Sequence, residues 1–84
     1  VKITWTKTAW EDYIFWQVTD KQKLKRINEL IKNTLRDPFK GIGNPEPLKH
    51  DLQGYWSRRI DGEHRLLYSF DHHTLLIIAC RFHY

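Results

Sequence analysis

Trp56-Ser57-Arg58-Arg59-Ile60-Asp61-Gly62-Glu63-His64-Arg65-Leu66-Leu67-Tyr68-Ser69-Phe70 decides the fold class. Two alternating runs, Trp56 to Ile60 and His64 to Phe70, flank Asp61-Gly62. Alternation of apolar and polar residues marks a half-buried strand. Asp-Gly suits a two-residue hairpin turn, because both positions of such a turn need positive φ. Leu66, Tyr68 and Phe70 fall on one side of the second run, Arg65, Leu67 and Ser69 on the other. Asp71-His72-His73 supplies a second turn. Thr74 to Phe82 is the most apolar stretch and is expected to lie centrally in the sheet. The C-terminal part reads as a three-strand meander.

Upstream, Val1-Lys2-Ile3-Thr4-Trp5 alternates and predicts a first strand. Thr8-Ala9-Trp10-Glu11 matches a capping box, so a helix is expected to start there, with Trp10, Tyr13, Ile14 and Gln17 along one stripe. Thr19-Asp20 offers a break and a new N-cap. A second helix is predicted from Lys21 to Arg36, because Leu24, Ile27, Leu30, Ile31 and Leu35 recur at helical spacing. Asp37-Pro38 ends it, since proline disfavours a helical preceding residue. Pro38 to Pro47 holds all three prolines and two of the four glycines, and reads as a shaped loop. The expectation is one two-layer α+β domain over residues 1–84. Two N-terminal helices pack on a mostly antiparallel four-stranded sheet, in the order β-α-α-β-β-β.

Composition narrows the function classes. At 84 residues there is room for one core, and 40% hydrophobic content with four each of Trp, Tyr and Phe excludes a disordered chain. The longest apolar run, Leu75 to Cys80, is strand length, well short of the ~18–20 residues of a membrane span. No signal peptide is visible, and the lone Cys80 cannot form an internal disulfide, so the expected location is the cytoplasm. Fourteen basic against ten acidic side chains give a net charge of +4, which suits a polyanionic partner. The histidines lack zinc-site spacing with cysteine, and His72-His73 would point to opposite faces. Gly41-Ile42-Gly43 lacks the strand–helix context of a phosphate loop. Cys80 sits in the most hydrophobic strand, where a thiol stays protonated. Neither metal nor cofactor is expected.

The informative residues are basic and late. Lys49, Arg58, Arg59, Arg65 and Arg81 lie on or beside the predicted sheet. Given the right register, Arg65, Arg81 and His83 share the face not covered by helices. Such a face is either a solvated polar surface or an anion site for a phosphodiester backbone. Tyr55-Trp56, Phe82 and Tyr84 lie nearby and suit unpaired RNA bases, although alternation assigns Trp56 and Phe82 to the core. Glu46 stands between two prolines, either as an ordinary exposed carboxylate or as a general base presented from a stiff loop. His83, the penultimate residue, is either a loose polar tail or a second catalytic group.

These stretches resemble the YoeB toxins of the RelE/ParE superfamily over essentially the whole chain. The resemblance rests on Trp10-Glu11-Asp12-Tyr13, Lys25 to Lys32, Pro45-Glu46-Pro47-Leu48-Lys49, Gly54 to Ile60, Glu63-His64-Arg65-Leu66 and Ala79-Cys80-Arg81-Phe82-His83-Tyr84. It implies a RelE-like fold and a ribosome-dependent endoribonuclease that cuts mRNA in the A site. It also implies a YefM-like antitoxin, acidic and partly disordered, and a homodimer with the first helix near its interface. By resemblance Glu46 is the general base, His83 the general acid, Arg65 the transition-state stabiliser and Tyr84 a substrate-orienting residue. Lys49 and Arg59, with Arg58 and Arg81, are phosphate contacts. The inventory suits that chemistry, because RNA brings its own 2′-hydroxyl nucleophile and needs only a base, an acid and cations. Two other classes share the face or the fold: a non-catalytic RNA-binding module and a ParE-like gyrase inhibitor. Glu46 with His83-Tyr84 speaks against the second, since a topoisomerase poison needs no acid–base pair.

Overall fold

The computed structural model describes residues 1–82. Its elements run β1 (Lys2–Trp5), α1 (Lys7–Thr19), α2 (Lys21–Arg36), β2 (Glu46–Pro47), a 3₁₀ turn (His50–Leu52), β3 (Trp56–Arg59), β4 (Arg65–Asp71) and β5 (Thr74–Ala79). The sheet order is β1-β5-β4-β3-β2, with β1 parallel to β5 and all other neighbours antiparallel. Both helices pack on one face.

The helices form where capping and periodicity place them, with one correction. Thr6 caps α1, not Thr8: its Oγ1 accepts from Ala9 N at 3.1 Å and donates to Ile78 O at 3.2 Å. That second bond ties the cap to β5, which explains why the helix starts at Lys7. Asp20 ends α1 through its N–H to Trp16 O, and its carboxylate caps α2 by accepting from Gln22 N and Lys23 N. Side chains of this type satisfy the orphan donors of a helix start. Ile27, Leu30 and Ile31 of α2 are buried as their spacing predicts. On α1 the buried side chains are Ala9 and Trp16. Trp10 and Ile14, expected on a packed stripe, are 50% and 37% exposed.

The sheet differs from the expected one in three respects. A fifth strand exists, since Glu46 and Pro47 pair with Ser57 and Trp56 at the end of the proline-rich loop. Two residues carry no alternation to read, and Pro47 is tolerated there because β2 is an edge. The middle strand is β4 rather than β5. Finally, β5 ends at Ala79, and Leu67 pairs with Ala79 while Tyr68 pairs with Ile77. Ile78 is therefore a bulge residue, which shifts the alternation by one position. Cys80 consequently joins the core at 0% exposure, and Phe82, expected inside, is 55% exposed with φ +67°.

Arg58, expected as an RNA contact, is fully buried on the helix side of β3. Its Nε donates to Tyr68 Oη at 3.0 Å. Nη1 donates to Asn33 Oδ1 at 2.6 Å and Ile42 O at 3.2 Å, and Nη2 to Asp37 O at 2.6 Å and Lys40 O at 3.0 Å. All five guanidinium N–H groups are thus occupied, and none is left for a phosphate. A lysine ammonium has three donors, so Arg58→Lys leaves at least two buried acceptors unmet, at roughly 1–3 kcal/mol each. We expect it to lower unfolding stability in urea by at least ~2 kcal/mol without changing the m-value. A wild-type midpoint would show that the network contributes nothing.

Candidate active site

The face of the sheet turned away from the helices gathers Glu46, Arg59 and Arg65 of the expected residues. Cross-strand partners share a face. Glu46 opposes Ser57, Ser57 opposes Leu67, and Leu67 opposes Ala79, forming one row. The next row sets Arg59 directly opposite Arg65. Ser57 and Leu67 are buried and make the floor, Arg65 is half-buried, and Glu46 and Arg59 are exposed. From strand spacing and rise, the Glu46 and Arg65 Cα atoms lie roughly 12 Å apart. Two long side chains reaching inward from that separation can meet at one phosphate.

Each side chain is held by its surroundings. The Glu46 carboxylate accepts from Asn44 Nδ2 at 2.8 Å, and among the described residues it has no ion-pair partner. Asn44 adopts φ +52°, and the preceding Gly43 gives its carbonyl to Arg59 N at 2.6 Å. A Cβ on Gly43 would stand 2.7 Å from Leu30 Cδ2 and 3.1 Å from Arg58 Cβ, so only glycine lets the loop lie this close. Arg65 donates from Nη1 to Asp61 O at 2.7 Å and His64 O at 3.0 Å. Its Nε and Nη2 make no bond to the described residues. That edge of a guanidinium is the one that grips two phosphate oxygens at once.

Arg59 and Arg65 form a like-charge pair in direct cross-strand register, and neither has a carboxylate partner among the described residues. Such a pair destabilises a sheet by a few tenths of a kcal/mol up to ~1. Fold stability does not account for it, whereas a bound anion would.

Arg81 does not join Arg65 on the open face. Its guanidinium lies over Phe15 of α1, 3.5 Å from the ring centroid, and 4.5 Å from that of Phe82. Lys49 is exposed at the start of the 3₁₀ turn. His83 and Tyr84 lie outside the described residues. Burial and the neighbouring Asp12 carboxylate push the Cys80 thiol up to about 12, which leaves it an inert core residue as expected. Among the described residues, no three His, Cys, Asp or Glu side chains come together as metal ligands would. No helix among them is long and apolar enough to cross a membrane.

The sequence offered little warning of three contributors. Asn44 orients Glu46. Asn33 Oδ1 accepts from both Arg58 Nη1 and Ile42 N, fixing the loop to α2. Asp61 builds the turn before Arg65: its Oδ1 accepts from Glu63 N at 2.8 Å and His64 N at 2.7 Å, and its Oδ2 pairs with Lys23 Nζ. Only Asp61 carried a signal, through the Asp-Gly turn.

Two helices thus cover one face of this α+β sheet, and an acid and two arginines stand on the other. Residues 5–84 match the family described as YoeB-like toxin of bacterial type II toxin–antitoxin system. Toxin YoeB of Escherichia coli (strain K12) is 58% identical over 84 residues, all of both chains. The YoeB/ParE toxin from Agrobacterium tumefaciens has a TM-score of 0.98 at 52% identity, again over the whole of both chains. YoeB from Staphylococcus aureus, known as a dimer and in a YoeB–YefM complex, gives TM-scores of 0.94 and 0.93. Those comparisons are at 47% and 46% identity and cover 100% of this chain and 98% of the other. The chain belongs to the YoeB-like toxins of type II toxin–antitoxin systems.

Charge on Asp61 contributes to holding the turn that carries Arg65. Its partial burial opposes ionisation, but the Lys23 ammonium and the Glu63 and His64 N–H groups outweigh that and bring its pKa down to about 2. The folded value lies below the unfolded one of ~3.9. The associated stability is therefore full above pH ~4 and lost as pH falls through about 2. Asp61→Asn keeps the Oδ1 acceptor but not the charge. We expect it to cost about 1 kcal/mol near neutrality, allowing for solvent screening, and the gap from wild type to narrow toward pH 2. Urea midpoints across that range check it; a gap independent of pH would remove the charge from the account.

Proposed function

We propose that the chain is a ribosome-dependent mRNA endoribonuclease that cuts the A-site codon and so stops translation in the cytoplasm. The observation that carries this reading is the unpaired Arg59–Arg65 juxtaposition one row away from an uncommitted carboxylate, Glu46, on an open sheet face. In the reaction, Glu46 accepts the proton of a ribose 2′-hydroxyl, and the 2′ oxygen attacks the adjacent phosphorus. Arg65 takes the charge growing on the non-bridging oxygens through its free Nε–Nη2 edge, and Arg59 and Lys49 hold neighbouring phosphates. His83 protonates the departing 5′ oxygen, and Tyr84 orients the nucleotide. The products are a 2′,3′-cyclic phosphate and a 5′-hydroxyl. General acid–base assistance and a preorganised cation at the developing charge each supply a large share of such a rate.

Dependence on the ribosome follows from the shape of the face. Among the described residues no pocket encloses Glu46 and Arg65. An open face does not order a flexible RNA, and orientation supplies much of the rate of a pre-positioned reaction. The ribosome would present the codon already extended. An acidic segment of a YefM-like antitoxin would cover the same arginines. A second copy would dock on exposed Trp10, which packs with half-buried Trp5 and Tyr13 at ring separations of 4.9 to 5.8 Å, and on the exposed Ile14 and Val18 of the same helix.

Cleavage of the same mRNA, free and on programmed ribosomes, tests the reading. We expect cleavage only with ribosomes, and none by Glu46→Gln. Equal cutting of free mRNA would refute it. Arg65→Lys keeps the charge but not the bidentate edge, and should lose about 10²-fold in rate, as when one oxyanion donor is removed. Near-wild-type cleavage by Arg65→Lys would reduce Arg65 to a general electrostatic contact.

A further inference from the structure

The ladder of β5 stops at Ala79, yet the backbones of Cys80 and Phe82 are held by groups from elsewhere in the fold. Cys80 N donates to Asp12 Oδ2 at 3.0 Å, and Cys80 O accepts from Trp16 Nε1 at 2.8 Å. Phe82 N donates to His64 Nδ1 at 2.7 Å, and Phe82 O accepts from Arg65 N at 3.1 Å. The backbone N–H and C=O of both Cys80 and Phe82 are thus satisfied outside the sheet ladder. His64 is 6% exposed, with its ring edge-on to Trp16 at 4.7 Å between centroids. Because its Nδ1 accepts, the ring is neutral with its proton on Nε2. Phe82 sits at φ +67°, a conformation that a bulky L residue adopts only where its surroundings dictate it.

We propose that His64, with Asp12 and Trp16, is a positioning residue for the acid step: the clamp aims the chain that continues into His83. This rests on the reading of His83 as the general acid. A hydrogen bond within the ordinary core would need no acceptor from a ring. Here the imidazole replaces a missing strand partner at the last peptide before the proposed acid. Holding both polar groups of Phe82 fixes the direction in which the chain leaves it, because the peptide unit is planar. Arg65 contributes through its backbone N–H as well as its guanidinium, so the clamp on Phe82 and the phosphate contact are built on the same residue pair, His64-Arg65. Arg81 stacked on Phe15 keeps the intervening residue against α1.

The test uses the full-length toxin on programmed ribosomes, under single-turnover conditions. The mRNA carries either the ordinary 5′ oxygen or a 5′ sulfur at the scissile bond; the sulfur leaves without a proton. The variants are His64→Leu, which keeps apolar volume but removes the acceptor, His64→Asn, whose Oδ1 stands as many bonds from Cα as Nδ1, His83→Ala, and the pair His64→Leu with His83→Ala. A displacement of the acid by about 1 Å is expected to slow the oxygen substrate about 10²-fold in His64→Leu, with little effect on the sulfur substrate. His64→Asn should recover most of the rate. In the His83→Ala background, His64→Leu should add almost nothing, because two residues acting as one unit are not additive. Equal slowing of both substrates, or multiplying effects of the two substitutions, would overturn the clamp's role. Full activity of His83→Ala would instead remove the acid, and with it the reading beneath this inference. Should His64→Leu fail to fold, His64→Gln, with its amide oxygen one bond farther out, takes its place against His64→Asn.

Discussion

A buried guanidinium holds the molecule's parts in register. Arg58 has no exposed surface and no carboxylate partner among the described residues. Burying a charge costs several kcal/mol, and full hydrogen bonding is what makes it tolerable. The acceptors come from α2 through Asn33, from the loop through Asp37, Lys40 and Ile42, and from β4 through Tyr68. Tyr68 Oη passes the network on to Pro38 O. The loop between α2 and β2 has prolines and glycines and little regular structure, so its carbonyls would otherwise be orphans. One side chain does for this segment what a ladder does for a strand.

That constraint reaches the open face directly. Arg58 and Arg59 are neighbours on β3 with opposite directions. The first pins the loop from below, and the second donates its backbone N–H to Gly43 O, just before Asn44 and Glu46. The position of the carboxylate is therefore set by a chain of contacts that starts at α2, passes under the sheet and ends at its edge. Arg65, on the next strand, is set independently, by the Asp61 turn and its tie to Lys23 of α2. Carboxylate and guanidinium are delivered by different devices, but both devices end on α2.

Periodicity made most of the fold legible. The spacing of Ile27, Leu30 and Ile31 and the two runs around Asp61-Gly62 placed α2, β3 and β4 within a residue or two. What escaped had a physical reason in each case. Thr6 outcompeted Thr8 as a cap because its hydroxyl also bonds β5, a contact 72 positions away in the chain. The bulge at Ile78 turned Cys80 into the core, and an uninterrupted apolar run gives no sign of an inserted residue; Phe82 lies beyond the end of β5, at φ +67°. Arg58 is the instructive error. Alternation places it on the same face as Trp56 and Ile60, inside, and a charge there gives no local sign of the five acceptors that receive it.

The site was legible by residue type and not by partner. Glu46 and Arg65 stood out because a carboxylate between prolines and an arginine after a tight turn are unusual placements. Asp12 and His64 did not, because a side chain that bonds the backbone of a distant residue leaves no mark in local pattern, and nothing in the sequence marks the Asn44 amide as the partner of the Glu46 carboxylate. The floor of the open face, Ser57 and Leu67, is buried and regular, while Glu46 and Arg65 standing on it are aimed from the loop and the turn. An open face of this kind leaves two like charges unpaired in the free protein, at a cost to stability that a well-paired surface would avoid. The same cost makes any acidic ligand that covers Arg59 and Arg65 stabilising to the fold as well as blocking to the site. Under the proposed function, one feature of the sheet thus serves both substrate binding and neutralisation.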